Sequence, residues 1–205
     1  MAIPPYIIEH KALEVREKLG FGKILAPDMH CVLEKLQQKI VKFNFRPALA
    51  SEMGLDEAWM DDDSHTLTVR ECVLENAKAG MGRARFTIAH ELGHYFLGHK
   101  GRRRRNPNKE VYAGAQERIQ EDEADQFASN FLVPTELALD CNGPEDISQR
   151  FQISIAAAEI SFERVQRARR KATGERRRPP DSVIDFLKEA KRRGHPIRSD
   201  LSEFE

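Results

Sequence analysis

The segment RFTIAHELGHYFLGH, residues 85–99, concentrates side chains that can bind a metal and activate water. His90 and His94 are four residues apart, so on an α-helix their imidazoles lie on the same face and can reach one ion. Glu91 lies about 100° around the helix from His90, where its carboxylate can contact a water molecule on that ion. This HExxH pattern predicts zinc-assisted hydrolysis, with His90 and His94 as ligands and Glu91 as general base.

The residues around these two histidines are small or apolar: Phe86, Ala89, Gly93, Phe96 and Leu97. The helix is therefore expected to be largely buried, and buried histidines are costly unless they are bound. This setting favours a metal site over two incidental surface histidines, and Gly93 leaves room for another element to approach. His99 would lie on another face of a continued helix, so it is expected to line the helix end rather than ligate.

The segment QEDEADQFASNFLVP, residues 120–134, offers a third ligand. Its small and apolar residues form one stripe that should face the core: Ala124, Phe127, Ala128, Phe131 and Leu132. Glu121 and Asp125 are four residues apart at the edge of this stripe, whereas Glu123 lies about 200° from Glu121. We expect Glu121 to ligate the zinc and Asp125 to accept a hydrogen bond from the other nitrogen of a ligand histidine. Asp122 and Glu123 are expected to form a solvated, acidic start of the helix.

Together, RFTIAHELGH and EDEADQFASNFLVP resemble the paired motifs of the ImmA/IrrE family of zinc metallopeptidase-like proteins. The resemblance is strongest over residues 85–134, extends to residues 30–170 and does not include the C-terminal tail. It implies that His90, His94 and Glu121 are the zinc ligands and that Glu91 is the base. These are the residues that the spacing also indicates. It also implies an intracellular protein. Several members of the family cleave a DNA-binding repressor, and others belong to toxin–antitoxin-like pairs.

Two functions from different classes fit these residues. The first is an intracellular zinc-dependent endopeptidase that cleaves a specific regulatory protein, expected to be a DNA-binding transcriptional repressor. The alternative is a non-catalytic, zinc-stabilised protein-binding module that sequesters its partner. Glu91 favours the enzyme, because a binding module needs no general base. Spacing does not choose a second oxyanion donor among Tyr95, Tyr112 and Arg118.

The formal net charge is zero, so overall composition gives no argument for a nucleic-acid partner. Residues 164–193 nevertheless hold twelve Lys/Arg and four Asp/Glu. Residues 146–165, which overlap the start of this basic segment, resemble a helix-turn-helix, but the alanines at 156–158 would offer no hydrogen bonds to bases. Four residues of that segment are expected to be core: Ile147, Phe151, Ile153 and Ile160. We therefore expect no direct DNA binding.

The three cysteines have no paired spacing, which argues against a disulfide framework and suits a reducing compartment. The opening residues MAIPPYIIEHKALE show no basic leader before an apolar run. No segment approaches the length of a transmembrane helix. The expected location is the cytoplasm, without membrane contact.

The periodicity predicts an α+β fold: a mostly helical metallopeptidase domain with a small sheet preceding the HExxH helix, plus a short C-terminal helical tail. Residues 1–171 are assigned to this domain and residues 172–205 to a linker, GERRRPP, and a basic tail helix. Besides the HExxH helix, which should end at Gly98, helices are predicted at residues 9–19, 28–41, 115–132, 135–140, 144–151, 154–171 and 181–193.

Strands are predicted at residues 43–45 and 65–72, with loops at residues 52–63 and 101–108. The strand at 65–72 fits two interpretations equally well. It is either a sheet edge along which an extended peptide substrate pairs, or an ordinary core strand.

Overall fold

The computed structural model describes residues 2–61, 63–99, 103–105, 114–174 and 180–195. These residues fall into two compact units, Met1–Val165 and Gln166–Glu205. The elements are, in chain order, α1 (Pro5–Lys18), α2 (Met29–Lys39), β1 (Asn44–Ala48), α3 (Ala50–Met53), β2 (Ala58–Asp61), β3 (Thr66–Arg70), α4 (Glu71–Lys78), α5 (Gly82–Leu97), β4 (Arg103–Arg105), α6 (Ala115–Leu132), a 3₁₀ turn (Thr135–Ala138), α7 (Pro144–Phe151), α8 (Ile155–Thr173) and α9 (Asp181–Arg192).

The predicted α+β class is confirmed, and helices dominate the described residues. The bounds of α6 and α7 coincide with the predicted ranges. Helix α1 begins earlier than predicted, with Pro5 in its first turn, where the missing proline N–H costs no helical hydrogen bond. Of the predicted linker, residues 174–180, residues 175–179 lie outside the described residues.

The acidic segment 52–63 is not the loop that was predicted, because it contains β2. Ala58, Trp59 and Met60 are all buried, so this strand lacks the alternation of polar and apolar residues by which a half-exposed strand is recognised.

Helix α4 was not predicted from the sequence. It occupies the region directly after β3, and its first residues include Cys72, which was predicted to end the strand.

The four strands lie in the order β1-β3-β2-β4. Strand β3 pairs in parallel with β1 on one side and antiparallel with β2 on the other. The interpretation of β3 as a free sheet edge is therefore wrong, and it is an interior strand. Strand β4, inside the predicted loop 101–108, pairs antiparallel with β2 and lies at the opposite edge from β1. Three strands thus precede α5 and the fourth follows it.

Helix α6 packs against both α5 and α1, and this contact forms the centre of the core. Ile88 and Leu92 of α5 and Phe127 and Phe131 of α6 are fully buried there. The buried guanidinium of Arg16, on α1, donates to the carbonyl oxygen of Phe131 at 2.5 Å, which ties α1 to the end of α6. Burial away from water, together with the charge of Arg85, lowers the pKa of Arg16 to about 10.

The segment that resembles a helix-turn-helix forms α7 and the start of α8. Ile147, Phe151 and Ile153 are buried as predicted, but Ile160 is 67% exposed, so the prediction that it belongs to the core is wrong. Arg164 donates to the hydroxyl of Ser129 at 3.1 Å and to a backbone carbonyl near the end of α6. This arginine therefore serves internal packing.

No helix among the described residues has both the length and the apolar character needed to cross a lipid bilayer.

Candidate metal centre

The centre is formed where α5 packs against α6. One turn of α5 separates His90 from His94, and their Nε2 atoms lie 2.9 Å apart, both in buried rings. Glu121 of α6 points its carboxylate at this pair. Its Oε2 is 3.2 Å from His90 Nε2, and its Oε1 is 3.3 Å from His94 Nε2. Two ring nitrogens and one carboxylate thus converge on one point.

These separations suit a small divalent cation. Tetrahedral zinc with bonds of about 2.0–2.2 Å to nitrogen and oxygen keeps its ligand atoms about 3.3 Å apart. The three distances are close to this value, and two imidazoles with one carboxylate form a donor set typical of catalytic zinc, which leaves one position for water or substrate. The residues present therefore fit a zinc ion.

The local electrostatics favour an ionised Glu121. Burial of its carboxyl group acts to raise the pKa. Hydrogen bonding from the rings of His90 and His94, together with their charge, more than offsets this effect and holds the pKa below its ordinary value. An ionised carboxylate is the form that binds a cation.

The second nitrogen of His90 is held by α6. His90 Nδ1 lies 2.7 Å from Oδ1 of Asp125, whose side chain is 51% exposed. Because Asp125 is one turn beyond Glu121, the same face of α6 contacts both nitrogens of His90. Gly93 of α5 faces Ala124 between these contacts, which lets the two helices approach closely.

The second nitrogen of His94 contacts residues that the sequence patterns did not assign to the site. His94 Nδ1 lies 2.8 Å from Nδ1 of His99, and Nε2 of His99 lies 2.9 Å from Oε2 of Glu123. Glu123 is only 5% exposed, so the prediction of a solvated Glu123 is wrong, while its neighbour Asp122 is exposed as predicted. His99 lies at the helix end, as expected.

Glu91 is buried beside the ligand pair on α5. The three candidates for a second oxyanion donor differ in position. The ring of Tyr95 packs edge-on against Phe43, with centroids 5.2 Å apart, and burial raises the pKa of its hydroxyl. Arg118 is exposed on α6, and Tyr112 lies outside the described residues.

Comparison with known proteins identifies the family to which this chain belongs. Residues 43–163, more than half of the chain, match the sequence model of the IrrE N-terminal-like domain, peptidase M78. The chain therefore belongs to this family, which is of the metallopeptidase type, and the resemblance to ImmA/IrrE proteins is confirmed.

A solved structure described as a Mycobacterium tuberculosis transcriptional regulator has a similar fold, with a TM-score of 0.51 and 14% identity. The match covers 75% of this chain and 45% of that one, so the chain spans less than half the length of that neighbour. No match is found among curated proteins.

Proposed function

We propose that the chain is an intracellular zinc-dependent endopeptidase that cleaves one regulatory protein, a DNA-binding transcriptional repressor. The observation that carries the catalytic part is the convergence of His90, His94 and Glu121 within ligand distance, with Glu91 next to the first histidine. Membership of the peptidase M78 family supports a peptidase role. The repressor as substrate rests on the resemblance to ImmA/IrrE proteins.

In this mechanism, His90, His94 and Glu121 hold the zinc ion, and Asp125 orients His90 through its Nδ1. Bound zinc supplies Lewis acidity, which activates water and polarises the scissile carbonyl. The carboxylate of Glu91 accepts a proton from water as the water oxygen bonds to the carbonyl carbon. Glu91 then delivers this proton to the amine nitrogen as the carbon–nitrogen bond breaks, which returns the carboxylate to its starting state.

The metal is tested by elemental analysis of the purified protein. The expected result is one zinc per chain, and a melting temperature that falls after chelation and recovers on addition of zinc. His90→Ala and His94→Ala each remove a proposed ligand and should lose the metal. A wild-type protein without zinc, whose melting temperature does not respond to added zinc, would refute the site.

Catalysis is tested with Glu91→Gln, which removes the base and leaves the three ligands in place. Cells that express either the wild type or this variant are compared by sequencing the new protein N-termini. A cut in a DNA-binding regulator, within an exposed loop or domain boundary, is expected with the wild type only. The loss of a general base typically costs about 10²–10⁴-fold in rate. If zinc-loaded Glu91→Gln derepresses the same genes and no fragment appears, the protein acts by sequestration.

A further inference from the structure

The two histidines among the candidate zinc ligands are supported in different ways. Asp125, which contacts His90, is half exposed, and water can compete for its hydrogen bonds. The contact to His94 comes instead from His99, which is buried and is itself held by the buried carboxylate of Glu123. A connected series of buried polar groups therefore runs from the metal centre into the core.

The chemistry of the rings sets the direction of each hydrogen bond in this series. When Nε2 of His94 binds the metal, the hydrogen of this ring is on Nδ1 and points to Nδ1 of His99, 2.8 Å away. Nδ1 of His99 must then accept, which leaves the hydrogen of His99 on Nε2. That atom lies 2.9 Å from Glu123 Oε2 and donates to it. One arrangement of hydrogens thus satisfies both contacts and leaves the lone pair of His94 Nε2 for the metal.

The backbone holds both supporting residues in place. Gly98 adopts a left-handed conformation with φ of 70°, and the N–H of His99 donates to the carbonyl of His94 at 3.1 Å. This Schellman-type end turns the chain back, so the His99 ring reaches His94 although a continued helix would carry it away. The other oxygen of Glu123 accepts the backbone N–H of Ile3, which fixes the carboxylate against the N-terminal segment.

We propose that His99 and Glu123 are positioning residues that hold His94 in the tautomer and orientation that bind zinc. They do for the second histidine what Asp125 does for the first, from within the core rather than from the surface. This inference rests on the proposed zinc site. It predicts that substitution of His99, which contacts a ligand but not the metal, changes the zinc affinity and the ligand field of the ion. The same is expected for Glu123, which contacts His99.

The test compares zinc dissociation constants, measured by chelator competition on folded apoprotein, and the visible absorption of the cobalt(II)-loaded protein. His99→Leu and Glu123→Leu should each weaken zinc binding about 10–100-fold and shift the cobalt bands. Glu123→Gln keeps an acceptor without the charge and should lose less. His99→Gln supplies an amide oxygen and an N–H about as far apart as the ring nitrogens, and should come closest to the wild type. Asp122→Asn, exposed next to Glu123, is the matched control and should change neither readout.

A purely structural role for this pair would lower the melting temperature of apo and zinc-loaded protein alike, without moving affinity or spectrum. Zinc affinities within about two-fold of the wild type in all four variants, with unchanged cobalt bands, would overturn the proposal and leave the zinc site standing. If the leucine variants do not fold, Glu123→Gln decides by the same measurements: weaker zinc binding than in Asp122→Asn, with shifted cobalt bands, supports the proposal, and no difference from Asp122→Asn overturns it. Failure of the wild type itself to bind zinc would remove the proposed function and the positioning role together.

Discussion

Gly93 of α5 lies directly against Ala124 of α6: a Cβ atom at Gly93 would stand 3.0 Å from both the Cα atom and the carbonyl oxygen of Ala124. Those atoms belong to a helix backbone and cannot swing aside. The absence of a side chain at this position is therefore what lets the two helices meet closely enough for Glu121 to reach the histidines.

Gly93→Ala should force α5 and α6 apart. Overpacking of a tight core contact costs about 1–3 kcal/mol, and displacement of Glu121 should weaken zinc binding as well. Thermal unfolding and chelator competition measure the two effects. Gly114→Ala is the control, because no atom of the described part of the chain lies within 4 Å of a Cβ there and the backbone is extended. A Gly93→Ala protein with wild-type stability and zinc affinity would show that the contact is looser than the structure has it.

Glu121→Gln should weaken zinc binding more than any other single change on α6, because it replaces an anionic ligand by a neutral amide. Asp125→Asn should have an intermediate effect, about 10–100-fold in affinity, since Asp125 acts through His90. Both are measured by chelator competition. Equal losses for Glu121→Gln and Asp125→Asn would contradict the assignment of Glu121 as the ligand.

Gly98→Val should lower both stability and zinc affinity, whereas Gly98→Asn should remain close to the wild type. The position has a φ of 70°, and no atom of the described residues lies within 4 Å of a Cβ there, so the expected effect comes from the backbone conformation. A left-handed conformation costs an ordinary residue about 1–2 kcal/mol, and asparagine tolerates it best after glycine. Thermal unfolding with and without zinc separates the two effects. Similar behaviour of the two variants would argue that His99 does not depend on this turn.

Truncation after Lys171 should leave a folded protein that still binds one zinc. Helix α8 continues to Thr173, but its buried residues end at Val165, so the cut leaves the described core contacts of α8 in place. Circular dichroism and metal analysis of the shortened chain check this expectation. Insoluble or zinc-free protein would show that the residues beyond 171 contribute to the fold.

Local geometry explains which features were predictable. Helical phase depends only on 3.6 residues per turn, so the spacing of His90 and His94 places both rings on one face wherever the helix packs. The same rule separated Glu121 from Glu123 and paired Glu121 with Asp125. Gly98 as the end of α5 and the bounds of α6 also follow from short-range patterns, namely a C-terminal glycine and an apolar stripe that stops before Pro134.

The tertiary structure decided what depends on distant parts of the chain. Strand order brings β4 beside β2 and makes β3 an interior strand, and no local pattern encodes such pairing. Helical phase left Glu123 out of the predicted ligand set, but it could not reveal which buried residue Glu123 contacts. That residue is His99. It contacts both His94 and Glu123 because the helix ends and the chain reverses at Gly98. Helix spacing predicts contacts only while the helix continues, so the support of His94 becomes visible only in the packed structure.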